Sequence, residues 1–343
     1  MGLIMIDDSK RFVLSVQTGT VIEPPAIEIS NEQVINNNQN PDYFIGIADI
    51  MGFKNLIRNP RDGLDFYSHM EKIHLTLEWC TREIQSLWDM KSSTYGAPVR
   101  TRGYVSYGDP GDSYDNSNYW ESINEIAHSM YFFSDTIFYC LKAKKTVEQQ
   151  IVQLRAMCQV MNSFIVLPAL YKKSNYQIIN RGGIAFGPAY IDLKNKIFFG
   201  DPIINAYELS EAQQWMGAAI HHSVNKIVTQ GKKAPHFLVG FDAPLIQYNV
   251  PLKRQYRLKN KDIKFALNWY QSHRALPEYK PEIRQYLNNR PLWTDVMDGN
   301  ILRYNWDANE DTHKKMVKTI DFAKKIEDSF NRSRKYCKVE VSC

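Results

Sequence analysis

Asp49 and Asp135 are the residues whose setting points most directly to chemistry. Asp49 closes an almost continuous apolar run, Tyr43-Phe44-Ile45-Gly46-Ile47-Ala48, of the length and character of a strand buried on both faces. Asp135 follows Ser134 between two β-rich runs, Ile126 to Phe133 and Thr136 to Leu141, which predicts a hairpin with Asp135 at its turn. If that hairpin pairs beside the strand ending at Asp49, the two carboxylates converge, and close carboxylates repel unless a cation lies between them. Carboxylate oxygens with little nitrogen or sulfur nearby suit Mg²⁺ or Mn²⁺, which keep waters and substrate phosphates as their remaining ligands. The chemistry this combination suits is phosphoryl transfer. Taken singly, each Asp also has an ordinary account as a turn former.

Ile50-Met51-Gly52-Phe53-Lys54 follows Asp49 directly. Gly52 permits a tight turn, and outward-facing amides there would cradle a phosphate. The elements that must position these groups can be read from periodicity. From Leu64, apolar residues at 66, 70, 73, 77, 80, 84 and 87 share one helix face. Residues 91–122 read as a short strand around VRTRGYVSYG and then a loop rich in Gly, Asp, Ser and Asn. A second helix starts near Val147, with Ile151, Leu154, Cys158, Met161 and Ile165 aligned. Strands are expected over Ile178 to Phe186 and Ala189 to Asp192, then a helix near Pro202 with Asp201 as its cap. This order describes an α/β class fold, an α+β sandwich with a mixed or antiparallel sheet.

The 343 residues carry 44% hydrophobic and 23% charged side chains, which excludes a disordered or fibrous chain. No apolar run reaches the roughly 18 to 20 residues that span a bilayer, so no membrane insertion is expected. The start, MGLIMIDDSKR, has Asp7 and Asp8 where a secretory signal would be apolar, and the five cysteines of the whole chain form no CxxC pair. A cytoplasmic setting is therefore expected. A formal net charge of +5 gives little support to stable nucleic-acid binding. Three parts are expected: an N-terminal arm or linker over 1–40, a domain over 41–245, and a mostly helical C-terminal extension over 246–343.

Four segments, IADIMGF, FFSDTIFYC, RGGIAFGPAY and FFGDPIINAYELSE, occur in an order and spacing that resembles the class III nucleotidyl cyclase domain. The resemblance covers about residues 43 to 211. It implies a ferredoxin-like βαββαβ core working as a head-to-tail homodimer, in which Asp49 and Asp135 hold two metal ions. It further implies a metal contact from the Ile50 carbonyl and triphosphate contacts from the amides of Gly52, Phe53 and Lys54.

The departures narrow the branch. Purine-cyclising relatives carry a base-reading Lys where this chain has Ser129, and an acidic partner where it has Ile197, which cannot hydrogen-bond a base. The transition-state Asn and Arg fall on Ile204 and Glu208, with Asn205 one position out of register. A Glu there is unfavourable for developing phosphate charge. Arg100 and Arg102 are candidates to supply contacts, and Phe53 or a tyrosine could stack on the base.

With its AYELSE-type final motif the chain resembles the pyrimidine cyclases of the bacterial Pycsar antiphage system. That resemblance implies conversion of UTP or CTP to a 3′,5′-cyclic monophosphate that a separate effector reads. Arginine donors favour UTP, whose O4 accepts a hydrogen bond. Two rival readings are a cyclase-fold nucleotide sensor without turnover and a palm-type polymerase or dinucleotide cyclase. The adjacent His221-His222 pair is expected on a helix surface.

Overall fold

The computed structural model describes residues 4–6, 11–13, 40–53, 65–94, 116–170, 179–230, 238–239, 243–259, 262–269, 314–315, 317–326 and 328. Two short strands near the start, β1 (Ile4–Ile6) and β2 (Arg11–Val13), pair with each other. The apolar run predicted as a strand is β3 (Asp42–Ile50), buried from Phe44 onward. It is followed by α1 (Phe66–Thr94) and α2 (Asn116–His128), the hairpin β4 (Tyr131–Phe133) and β5 (Thr136–Lys142), α3 (Val147–Leu170), and β6 (Asn180–Pro188). These four strands lie in the order β6-β3-β5-β4, antiparallel throughout. Numbered by sequence within the unit, that order is 4-1-3-2, the ferredoxin-like βαββαβ arrangement.

A second hairpin, β7 (Tyr190–Asp192) and β8 (Ile197–Phe199), leads into α4 (Asp201–Ala212) and then β9 (Gly217–Ile220), which pairs with β6 in parallel. After α5 (Asn225–Gln230), β10 (Leu245–Gln247), α6 (Arg254–Lys259) and β11 (Phe265–Leu267), the sheet reads β10-β11-β9-β6-β3-β5-β4. The sheet therefore does not stop at residue 245, where a helical extension was expected to begin. Strands of three residues are too short to show a period-two pattern in sequence.

Alternation along β3 sends Phe44, Ala48 and Ile50 into the core beneath α1, α2 and α3, while Ile45 and Ile47 join a second cluster with Phe138, Phe198 and Ala206. Asp49 continues the second series, so it lies on the face covered by α4. Farther along, residues 314–315 and 317–326 are helical and close over Trp215, whose indole meets Phe322 edge-on with centroids 4.6 Å apart. Thr319 Oγ1 there accepts the Met216 N–H at 2.9 Å.

Three expectations need correction. Ile126 lies in α2, not in a strand: Tyr119, Ile123 and Ile126 recur at helical spacing, which the polar residues between them obscured. Asp201 does not cap α4; the N-cap is Gly200, and no side chain bonds the first-turn amides. His221 is not on a helix surface. It is 3% exposed at the end of β9, and its ring accepts the Ser223 N–H in a short 3₁₀ turn.

Candidate active site

Asp49 sits opposite Thr136 of β5 and Arg181 of β6, at the end of β3, an interior strand of the sheet. Asp135 occupies the two-residue turn between β4 and β5, as the sequence predicts, with Ser134 before it at φ 56°. The Asp135 carbonyl accepts the Ile50 N–H at 2.9 Å, which ties the turn to the strand end beside Asp49. The structure thus brings the two acids to one edge. Asp49 is 5% exposed and Asp135 half-buried.

Arg181 enters this site without having been singled out in the sequence. Its Nε donates to Asp49 Oδ2 at 2.9 Å, and its Nη2 forms an ion pair with the same oxygen at 2.8 Å. On its other side, Nη1 reaches the carbonyls of Glu211 and Gln213 at 3.1 and 3.4 Å, and Nη2 pairs with the Glu211 carboxylate. Glu211 and Tyr207 were also missed; they are one turn apart on α4, so both lie on the face turned to the acids. The available signal was Arg181 at the head of the apolar segment RGGIAFG, since charge in a buried element needs a partner.

Burial pushes the Asp49 carboxyl well above the ordinary carboxylate range; Arg181 pulls it back, and Glu211 and Asp135 add to the rise. Asp135 is raised too, first by burial, with Glu211 contributing. Burial also raises the Tyr207 phenol, helped by the negative charges of Glu211, Asp49 and Asp135. Its ring remains 47% exposed, so it borders the acids and faces solvent.

The other expected site residues distribute as follows. Gly52 has φ 74° with open space where a Cβ would stand, so its backbone conformation requires glycine although no neighbour does. Ile50 is buried, and its main chain is bound into the strand end. Phe53 is corrected as a stacking ring: it is 7% exposed in the core beneath the helices, which leaves only its backbone at the turn. Lys54, Arg100 and Arg102 lie outside the described residues. Glu208 is exposed on α4, and its charge adds to the burial that raises Tyr256.

Ser129, at the position of the purine-reading Lys, is 3% exposed. Its Oγ accepts the Cys140 N–H at 3.0 Å and donates to the carbonyl of Ile126 or Cys140. The hydroxyl therefore fastens α2 to β5, with its single O–H spent on the backbone. Ser129→Ala is expected to lower unfolding free energy by about 1–3 kcal/mol, because the Cys140 N–H loses its buried acceptor. Relative use of nucleotides should not change; urea melts and competition assays check both.

Among the described residues, no group of three or more His, Cys, Asp and Glu comes together as a metal site. The donor set that is present is two acids at one strand edge, with both Arg181 contacts on a single oxygen of Asp49. Such oxygens fit Mg²⁺ or Mn²⁺ that draw further ligands from substrate and water. Among the described residues, no helix is long and apolar enough to cross a membrane.

No protein-family model matches the chain, and no curated protein matches it. Two solved structures are similar in fold at low identity. The adenylyl cyclase CyaB from P. aeruginosa is 12% identical, with a TM-score of 0.33 over 56% of this chain and 83% of its own. A bacterial light-regulated adenylyl cyclase is 13% identical, with a TM-score of 0.35 over 72% of this chain and 100% of its own.

Proposed function

We propose that the chain is a nucleotidyl cyclase, converting UTP to 3′,5′-cyclic UMP and pyrophosphate, with CTP as the alternative substrate. The observation that carries this reading is the placement of Asp49 and Asp135 at one edge of a ferredoxin-like sheet, beside the glycine turn at Gly52. Asp49 and Asp135 would hold the divalent cations, with the Ile50 carbonyl beside them. Bound there, Mn²⁺ or Mg²⁺ supplies the charge that lowers the pKa of the ribose 3′-hydroxyl and neutralises the leaving pyrophosphate. The amides of Gly52 to Lys54 would cradle the triphosphate, and α4 with the β7–β8 hairpin would border the nucleotide.

A pyrimidine is favoured because both purine-reading positions are unsuited to a purine: Ser129 is engaged with the backbone, and Ile197 is apolar at 38% exposure. UTP over CTP follows from donors at Arg100 and Arg102. Tyr190, Leu193, Ile197 and Phe199 leave an apolar surface on the β7–β8 hairpin, which supports a face for a second subunit in a head-to-tail homodimer. An antiphage role, with the product read by a separate effector, rests on the resemblance of the motifs to the pyrimidine cyclases. Incubation with each of the four ribonucleoside triphosphates and Mn²⁺, with products identified by mass, tests the reading. Cyclic UMP as the main product is expected; a cyclic purine product would overturn the base assignment.

A further inference from the structure

We propose that Arg181 is a positioning residue for the metal-binding carboxylate, gripping Asp49 at Oδ2 so that Oδ1 remains the oxygen for the cation. This rests on the two-carboxylate reading above. Arg–carboxylate pairs are frequently fork to fork, each nitrogen on its own oxygen. Here Nε and Nη2 converge on Oδ2, at 2.9 and 2.8 Å. Among the described residues no hydrogen bond falls on Oδ1.

The guanidinium is itself fixed. Its side chain is 11% exposed, and Nη1 donates to the Glu211 carbonyl at 3.1 Å, near the C-terminal end of α4, where a helix favours positive charge. The Glu211 carboxylate takes Nη2 as well. Arg181 therefore cannot turn away without breaking contacts to two elements, and the direction of the Asp49 carboxylate is set by the packing of α4 on β6. Gly183, two residues along β6 on the same face, allows that packing: a Cβ there would lie 2.6 Å from the Ala206 carbonyl oxygen. Partners that orient a ligand from outside typically change metal affinity by about 10–100-fold when removed.

The test is Mn²⁺ binding to the purified full chain, read from the free-ion electron paramagnetic resonance signal, for wild type, Asp49→Ala, Arg181→Gln and Arg181→Lys. The half-saturating Mn²⁺ and kcat are measured in parallel. Arg181→Gln is expected to weaken Mn²⁺ binding at least about tenfold. Its kcat at saturating Mn²⁺ should recover to a greater extent than its affinity. Arg181→Lys keeps the charge but grips at one point, and should fall between Gln and wild type. If Arg181→Gln does not fold, judged by its melting transition, Arg181→Lys carries the comparison. Wild-type Mn²⁺ affinity in a folded Arg181 variant, or lost kcat with unchanged affinity, would overturn the proposal. Binding to wild type that Asp49→Ala does not weaken would instead overturn the two-carboxylate reading on which it rests.

Discussion

Asp49→Asn and Asp135→Ala are each expected to abolish cyclic nucleotide formation, by at least about a thousandfold, while the protein stays folded. The size follows from losing a cation worth several kcal/mol in the transition state, at about 1.4 kcal/mol per tenfold in rate. Preservation of the fold follows from the surroundings of each acid. Asn at 49 retains an oxygen for Arg181, and Arg181 keeps the Glu211 carboxylate and two carbonyls, so no buried charge is stranded. At 135 the hydrogen bond to Ile50 comes from the backbone carbonyl, which Ala preserves. Turnover assays beside thermal melts separate chemistry from folding. Wild-type rates in either variant contradict the site.

Gly46→Ala is the largest expected loss of stability. Gly46 faces Tyr139 across the β3–β5 ladder, and a Cβ would enter the Tyr139 ring. That ring cannot retreat, because it is fully buried and its hydroxyl donates to the Met157 carbonyl of α3 at 3.2 Å. Overpacking of this kind costs about 1–3 kcal/mol, and more when the neighbour is held. We expect a loss of about 3 kcal/mol in urea unfolding, a sizeable share of the roughly 5–15 kcal/mol that holds a domain folded. Adding Tyr139→Leu opens space over the new methyl, so the double variant should lose less than the sum of the two single changes. Simple additivity would show that the ring is not the obstacle.

How much of this was legible before the structure depended on the length of the signal. The nine residues of β3 and the long helices α1 and α3 carry enough turns or alternations for their period to show, and Asp135 at a Ser-Asp turn followed from the flanking β-rich runs. The start of α2 was hidden because Asn116, Ser117 and Asn118 read as loop, while the apolar spacing of its face begins only at Tyr119. Arg181 was invisible as a partner of Asp49 because the register that sets them opposite each other joins residues 132 apart in sequence. Phe53 read as an accessible ring because the turn after Asp49 looked solvent-facing; its ring instead packs into the core cluster. Ser129 could be seen to lack a base-reading amine, but not to have its hydroxyl engaged across two elements.

The central claim, that Asp49 and Asp135 hold cations for in-line attack of a ribose 3′-hydroxyl on the α-phosphate, is tested most directly by product stoichiometry. Purified protein is incubated with UTP and Mn²⁺, and cyclic UMP and pyrophosphate are quantified together, with a chelator-treated control. The account predicts the two products in equal amounts and neither after chelation. UDP with inorganic phosphate, or cyclic UMP formed undiminished in chelator, would contradict it.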